Sequence, residues 1–173
     1  MSGSATLERR RTSIHRVFPL PDSMTIPPPP HRTLWEDRFR RPDPLELVEA
    51  VPKHLVAVAI HAREQLGAAD GVVESLVWHG VWKWTFTYAA PTDGGRAWVY
   101  VIPDPARLRM CVPFAAELMQ QLPIRKLPKY LRDGLIHAPQ VGTMKWPTWE
   151  LQGKGQFDEC LTFALARLKP VAG

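Results

Sequence analysis

Four basic side chains in the middle of the chain have a spacing suited to holding an anion. Arg107 and Arg109 lie two residues apart in a predicted strand, so both point to one face of the sheet. Lys83 lies between two tryptophans of another strand, and Lys145 alternates with apolar residues in a later one. Because arginine and lysine bind carboxylates and phosphates, the pattern predicts a site for a small anionic ligand or an acidic partner segment. Trp149 shares the parity of Lys145 and is predicted to stack or pack beside it.

The same residues also fit two simpler roles. The basic side chains are typical of an ordinary solvated sheet face, and the aromatic ones are typical of a core or of a dimer contact. The alternative hypothesis is therefore a structural or interaction protein, a homodimer formed through an exposed aromatic strand and recruited through its N-terminal tail.

Nothing in the sequence has the pattern of a catalytic or cofactor site. It contains no GxSxG nucleophile elbow, no phosphate-binding loop and no dinucleotide motif. Cys111 and Cys160 lie in apolar segments, where cysteine packs as a small hydrophobe. We therefore predict a binding domain with no cofactor and no metal. An enzyme would need a convergent acid–base pair, which a single sequence does not reveal.

The elements that must position these residues follow from the hydrophobic periodicity. Helices are predicted at 43–66, where Pro52 causes a kink or a break near Ala50, and at 115–122, 128–137 and 158–168. Strands are predicted at 73–78, 81–89, 96–103, 107–113 and 143–151. The order α-β-β-β-β-α-α-β-α predicts an α+β domain, in which helices cover one face of an antiparallel sheet of about five strands.

Aromatic residues dominate one parity of the second strand. They are Trp82, Trp84, Phe86 and Tyr88, whereas the other parity carries lysine, threonine and valine. Since side chains alternate along a strand, we expect the four aromatic residues to face the helices and Lys83 to face the other way.

The basic charge lies mainly in the N-terminal part of the chain. Residues 1–42 hold eight arginines and four acids, a net charge of +4 out of the chain's +5, so 43–173 is nearly neutral. We predict a disordered Arg/Pro-rich tail at 1–30, a strap at 31–42 and one domain at 43–173. Nucleic acid is therefore expected as a partner only through the tail.

The sequence also predicts the cellular compartment of the protein. It has no long apolar run and no secretory signal at its start, and it contains two cysteines. These features predict a cytoplasmic protein without a membrane partner.

Three soft motifs carry a family resemblance: the Trp-rich segment Val81-Trp82-Lys83-Trp84, a strand ending in Ile102-Pro103, and a late helix pair rich in Leu, Pro and Lys. With the order of elements, they make residues 43–170 resemble the small bacterial domains with a YdhG-like fold. Most members of that group have no assigned function, and one branch is described as frataxin-like iron chaperones. The resemblance thus implies a further alternative, iron binding by a carboxylate-rich face, whereas the acids of this body are scattered.

Overall fold

A five-stranded antiparallel sheet lies at the centre of the computed structural model, which describes residues 33–90 and 96–168. The strands within these ranges are β1 (Val73–His79), β2 (Lys83–Ala89), β3 (Ala97–Asp104), β4 (Arg107–Cys111), β5 (Phe114–Ala115), β6 (Gln140–Val141), β7 (Met144–Lys145) and β8 (Thr148–Glu150). The large sheet has the order β1-β2-β3-β4-β8, and a small sheet has the order β5-β7-β6. The predicted α+β class with an antiparallel sheet is confirmed.

Helices pack on one side of the large sheet. They are α1 (Pro44–Glu49), α2 (Val56–Gly67), α3 (Lys129–Ile136) and α4 (Lys154–Arg167). Trp84, Phe86 and Tyr88 of β2 are buried on this helix-facing side, together with Met110 and Trp149. The burial of these large apolar side chains supplies most of the driving force for folding.

The start of α1 follows directly from its sequence. Asp43 accepts a hydrogen bond from the backbone N–H of Leu45 (2.8 Å), and Glu46 accepts one from the backbone N–H of Asp43. This reciprocal pair is a capping box, which satisfies amide groups that the first turn leaves unpaired. Pro52 then separates α1 from α2, as the sequence predicts.

The segment before α1 packs on the domain through Trp35. Its side chain is buried, and its carbonyl accepts a hydrogen bond from the backbone N–H of Trp84. The Trp84 indole donates to the carbonyl of Asp37 at 2.7 Å, whereas Phe39 is exposed. The predicted tail at 1–30, the first two residues of the predicted strap and the predicted hairpin loop at 92–95 lie outside the described residues.

The predicted fifth strand at 143–151 is two strands of different sheets. β7 pairs with β5 and β6, whereas β8 pairs with β4. Pro147 lies between them and has no N–H with which to continue a ladder. The parity of side chains therefore does not carry over from β7 to β8.

Candidate functional site

Arg107 and Arg109 lie together, as predicted, but both are engaged by carboxylates. Asp104 Oδ2 lies 3.2 Å from Arg109 Nη2 and 3.6 Å from Arg107 Nε. Glu150 lies 4.0 Å from Arg107 on the other side. The pairing follows from the β3–β4 hairpin, because it sets Asp104 opposite Arg107 in register. Two carboxylates thus offset much of the positive charge of this pair.

The environment of Arg109 is unusual for a guanidinium. Burial, and next the like charge of Arg107, lower the pKa of Arg109, while Asp104 opposes the shift. Its Nε is buried and has no hydrogen-bond partner among the described residues. One donor of this half-buried group therefore remains unused.

Lys83 and Trp82 lie on the opposite sides to those predicted. β2 begins at Lys83 rather than at residue 81, and Lys83 has a φ of +54°. This left-handed residue closes a three-residue hairpin loop, a position usually taken by glycine. The Lys83 ammonium lies over the ring of Trp78, on the helix-facing side, at 5.8 Å. Trp82 instead packs against Tyr100 on the outward face, the side of the large sheet that carries Thr85, Thr87, Tyr100, Ile102 and Arg109.

Lys145 and Trp149 do not join the two arginines. Lys145 lies in β7, opposite Phe114 and Gln140 of the small sheet. Trp149 is 2% exposed on the helix-facing side, and its indole donates to the carbonyl of Leu131 at 3.2 Å. The expectation that Trp149 shares a face with Lys145 is therefore wrong, because the two residues belong to different sheets.

An aromatic cluster covers the part of the outward face beside the two arginines. It consists of His79, Trp82, Tyr100 and Trp146, with neighbouring ring centroids 5.3–5.9 Å apart. Burial lowers the pKa of His79, so its imidazole stays neutral near pH 7. Sequence pattern does not reveal this cluster, because Tyr100 and Trp146 are distant in sequence and simple alternation puts Trp82 on the other face.

β1 is an edge strand whose outer side no described strand covers. It has seven residues in unbroken register with β2. Every second residue of an edge strand directs its N–H and C=O away from the sheet. Val73 and Val77 are exposed on its outward face, with 55% and 40% of their surface accessible.

The charged residue of β1 is neutralised within the domain. Glu74 accepts two hydrogen bonds from Arg63, at 2.6 and 3.0 Å, and one from the Tyr88 hydroxyl at 2.7 Å. Arg63 also lies over the ring of Phe86 at 4.8 Å. Burial raises the pKa of Glu74, but the hydrogen bonds from Arg63 and Tyr88 outweigh this and lower it.

The described residues offer little chemistry for catalysis or metal binding. Burial raises the pKa of both Cys111 and Cys160 to about 12, so neither thiol is a ready nucleophile. No group of three or more His, Cys, Asp or Glu side chains in 33–90 and 96–168 is placed to hold a metal ion. None of the helices in these ranges is both long and apolar enough to cross a membrane.

A comparison of the chain with protein-family models finds no match. Comparisons with curated proteins and with solved structures find none either. The resemblance to YdhG-like domains therefore stays a prediction from the sequence.

Proposed function

We propose that this protein is a non-catalytic interaction domain that binds an extended polypeptide segment at the outer edge of β1. The observation that carries the proposal is the outer edge of β1, seven residues in regular register, with which no strand of the described ranges pairs. Such an edge is a template for one more strand, in which backbone hydrogen bonds give affinity and alternate side chains give specificity.

The composition of β1 supports the proposal. Soluble proteins usually guard an exposed edge with lysine, proline, a bulge or an inward-pointing charge. Of these protective features β1 has only an inward-pointing charge, Glu74. The Glu74 carboxylate is hydrogen-bonded by Arg63 and Tyr88 within the domain. An incoming strand would therefore meet no uncompensated charge on β1.

The surface beside the edge supports it as well. Val73 and Val77 lie on one face of β1 with the exposed Ser75 between them, and Val81 in the hairpin loop is 86% exposed beside the half-buried Trp82. Exposed apolar side chains next to open backbone groups are typical of an interaction site.

Selection from a displayed library of random peptides by the full-length protein tests this function. Val77→Lys adds a charge to the edge strand, and we expect it to abolish binding of the selected peptides. Ile136→Lys makes the same change at an exposed site on α3 and should leave binding intact. Peptides that bind Val77→Lys as well as the wild type would contradict the proposal.

A small anion at Arg107 and Arg109 is the second candidate function. The exposed guanidinium of Arg107 favours it, because such a group can bind a carboxylate or phosphate. The unpaired Nε of Arg109 is buried and contributes nothing to such a site. Asp104 competes for both guanidinium groups. An anion would therefore have to displace the carboxylate or share the arginines with it.

Thermal unfolding of the full-length protein with phosphate, citrate and nucleoside monophosphates tests this second candidate, since a ligand of the native state raises the melting temperature. Arg107→Gln is the better variant because Arg107 is exposed, whereas Arg109 is half-buried against Asp104. We expect Arg107→Gln to remove the shift and Lys129→Gln, an exposed change on α3, to keep it. A shift of equal size in both variants would contradict an anion site here.

A further inference from the structure

We infer that the strand bound at the edge of β1 is β1 of a second copy of this chain, so that two large sheets join into one across a twofold axis. This inference rests on the proposed function and names the partner. A twofold interface must be self-complementary, and the residues of β1 meet that requirement in one register.

The register follows from geometry. Two edge strands related by a twofold axis perpendicular to the sheet pair antiparallel and keep their helix layers on the same side. The two residues of each pair then point to the same face of the joined sheet, so their numbers are both even or both odd. The register centred on Leu76 pairs all seven residues of β1, whereas a shift in either direction loses two of them. Full pairing adds about six to eight backbone hydrogen bonds.

Charge complementarity favours the same register. It sets Glu74 of each copy opposite Trp78 of the other, on the helix-facing side. The ammonium of Lys83 lies over the ring of that Trp78 at 5.8 Å. Each Glu74 stays bound to Arg63 and Tyr88 of its own copy, and Lys83 places a positive charge on the same, helix-facing side of the joined sheet. A register centred on Glu74 would instead set the two carboxylates against each other.

The outward face of β1 gains cover in this arrangement. Val77 of one copy lies opposite Ser75 of the other, and Val73 lies opposite His79. The two exposed valines are thus partly covered, and the outward faces of the two sheets become continuous. The contact rests on a single pair of seven-residue strands, so we expect it to bury less than a standard interface of about 1,600 Å² and the dimer to dissociate on dilution.

Sedimentation velocity of the full-length protein over a range of concentrations tests the inference. We expect a monomer–dimer equilibrium that Val77→Lys abolishes and that Ile136→Lys leaves unchanged. Lys83→Glu should weaken the dimer by about two- to tenfold, because it puts a negative charge on the helix-facing side that carries Glu74 of the other copy. Raising the salt concentration should weaken the wild-type dimer but not remove it.

The outcomes separate this inference from the proposed function. A protein that stays monomeric while its selected peptides still require Val77 overturns the second copy as partner and leaves the edge as the binding site. A dimer that tolerates both Val77→Lys and Lys83→Glu overturns the inference, since the contact then lies elsewhere. Loss of peptide binding and of dimerisation in Ile136→Lys as well would overturn both.

Discussion

Gly134 and Trp149 show how closely a single position in this domain is specified. A Cβ at position 134 would lie 2.5 Å from Cδ1 of the Trp149 ring and closer still to its Nε1. The ring has no room to retreat, because it is buried between α3 and α4 and donates to the carbonyl of Leu131. A glycine in the middle of α3, normally unfavourable in a helix, is therefore explained by packing.

We expect Gly134→Ala to lower the free energy of unfolding by about 1–3 kcal/mol, the usual cost of overpacking a core. Gly155→Ala is the matched control in α4, where a Cβ would meet nothing within 4 Å. It should stabilise the domain by up to about 1 kcal/mol through helix propensity. Urea unfolding of both variants measures the difference, and equal effects would show that the Trp149 contact does not constrain position 134.

Glu74 makes stability depend on pH. Its pKa is lowered in the folded state from an ordinary value of 4.5, because the hydrogen bonds from Arg63 and Tyr88 outweigh the effect of burial. The unfolded chain then binds more protons at acidic pH. The contribution of Glu74 is therefore fully present above about pH 4.5 and is lost as the pH falls through the folded pKa.

Glu74→Gln should accordingly show a smaller drop in unfolding free energy between neutral pH and pH values below 4.5 than the wild type. Arg63→Lys keeps a positive charge but loses the bidentate hydrogen bond to Glu74. Its unfolding free energy should therefore fall at acidic pH by only part of the wild-type amount. Denaturant unfolding at a series of pH values measures the unfolding free energy of each variant. The same dependence of this free energy on pH in wild type and Glu74→Gln would rule out this role for Glu74.

At the scale of elements, the cap of α1 is the clearest local signal. Asp43→Ala removes the side-chain acceptor for Leu45 N–H and should destabilise the domain by about 1 kcal/mol. Asp43→Asn keeps an oxygen acceptor and should cost less. Thermal unfolding compares the two variants, and an alanine variant as stable as the asparagine one would mean that the cap is not needed once α1 is packed.

Most regular elements could be predicted from the sequence, but the points where periodicity breaks could not. The helix predicted at 115–122 is instead a 3₁₀ helix at Ala116–Gln121 that follows β5. Alternation predicts the strands, and Pro52 predicts the break in the first helix. The side of Lys83 could not be predicted, because its positive φ reverses the alternation at a residue that is not glycine. The position of Trp149 could not be predicted either, because Pro147 separates two strands whose partners are far away in sequence.

In the candidate site, too, some features could be predicted from the sequence and others could not. Arg107 and Arg109 share a face, as their spacing predicts. Their neutralisation by Asp104 depends on the hairpin register, and Lys145 belongs to the small sheet rather than to the sheet of the arginines. The edge position of β1 depends on the order of strands in space, which local pattern does not specify.

At the scale of the whole molecule, the central feature is that the two edge strands of the large sheet differ in length. Its β8 edge is only three residues long and belongs to the strand anchored by Trp149, whereas its β1 edge presents seven residues. A domain of this size usually blunts a long edge. An edge that is long, regular and internally neutralised is the feature from which both the proposed function and the proposed dimer follow.

Hydrogen exchange of the full-length protein, followed by mass spectrometry at low and high protein concentration, tests the dimer most directly. If β1 of a second copy covers the edge, exchange in Val73–His79 slows as the concentration rises, while α3 does not change. Val77→Lys should remove that concentration dependence. Rapid exchange of β1 at every concentration would contradict the second copy as partner, and slow exchange independent of concentration would show that the chain covers this edge itself.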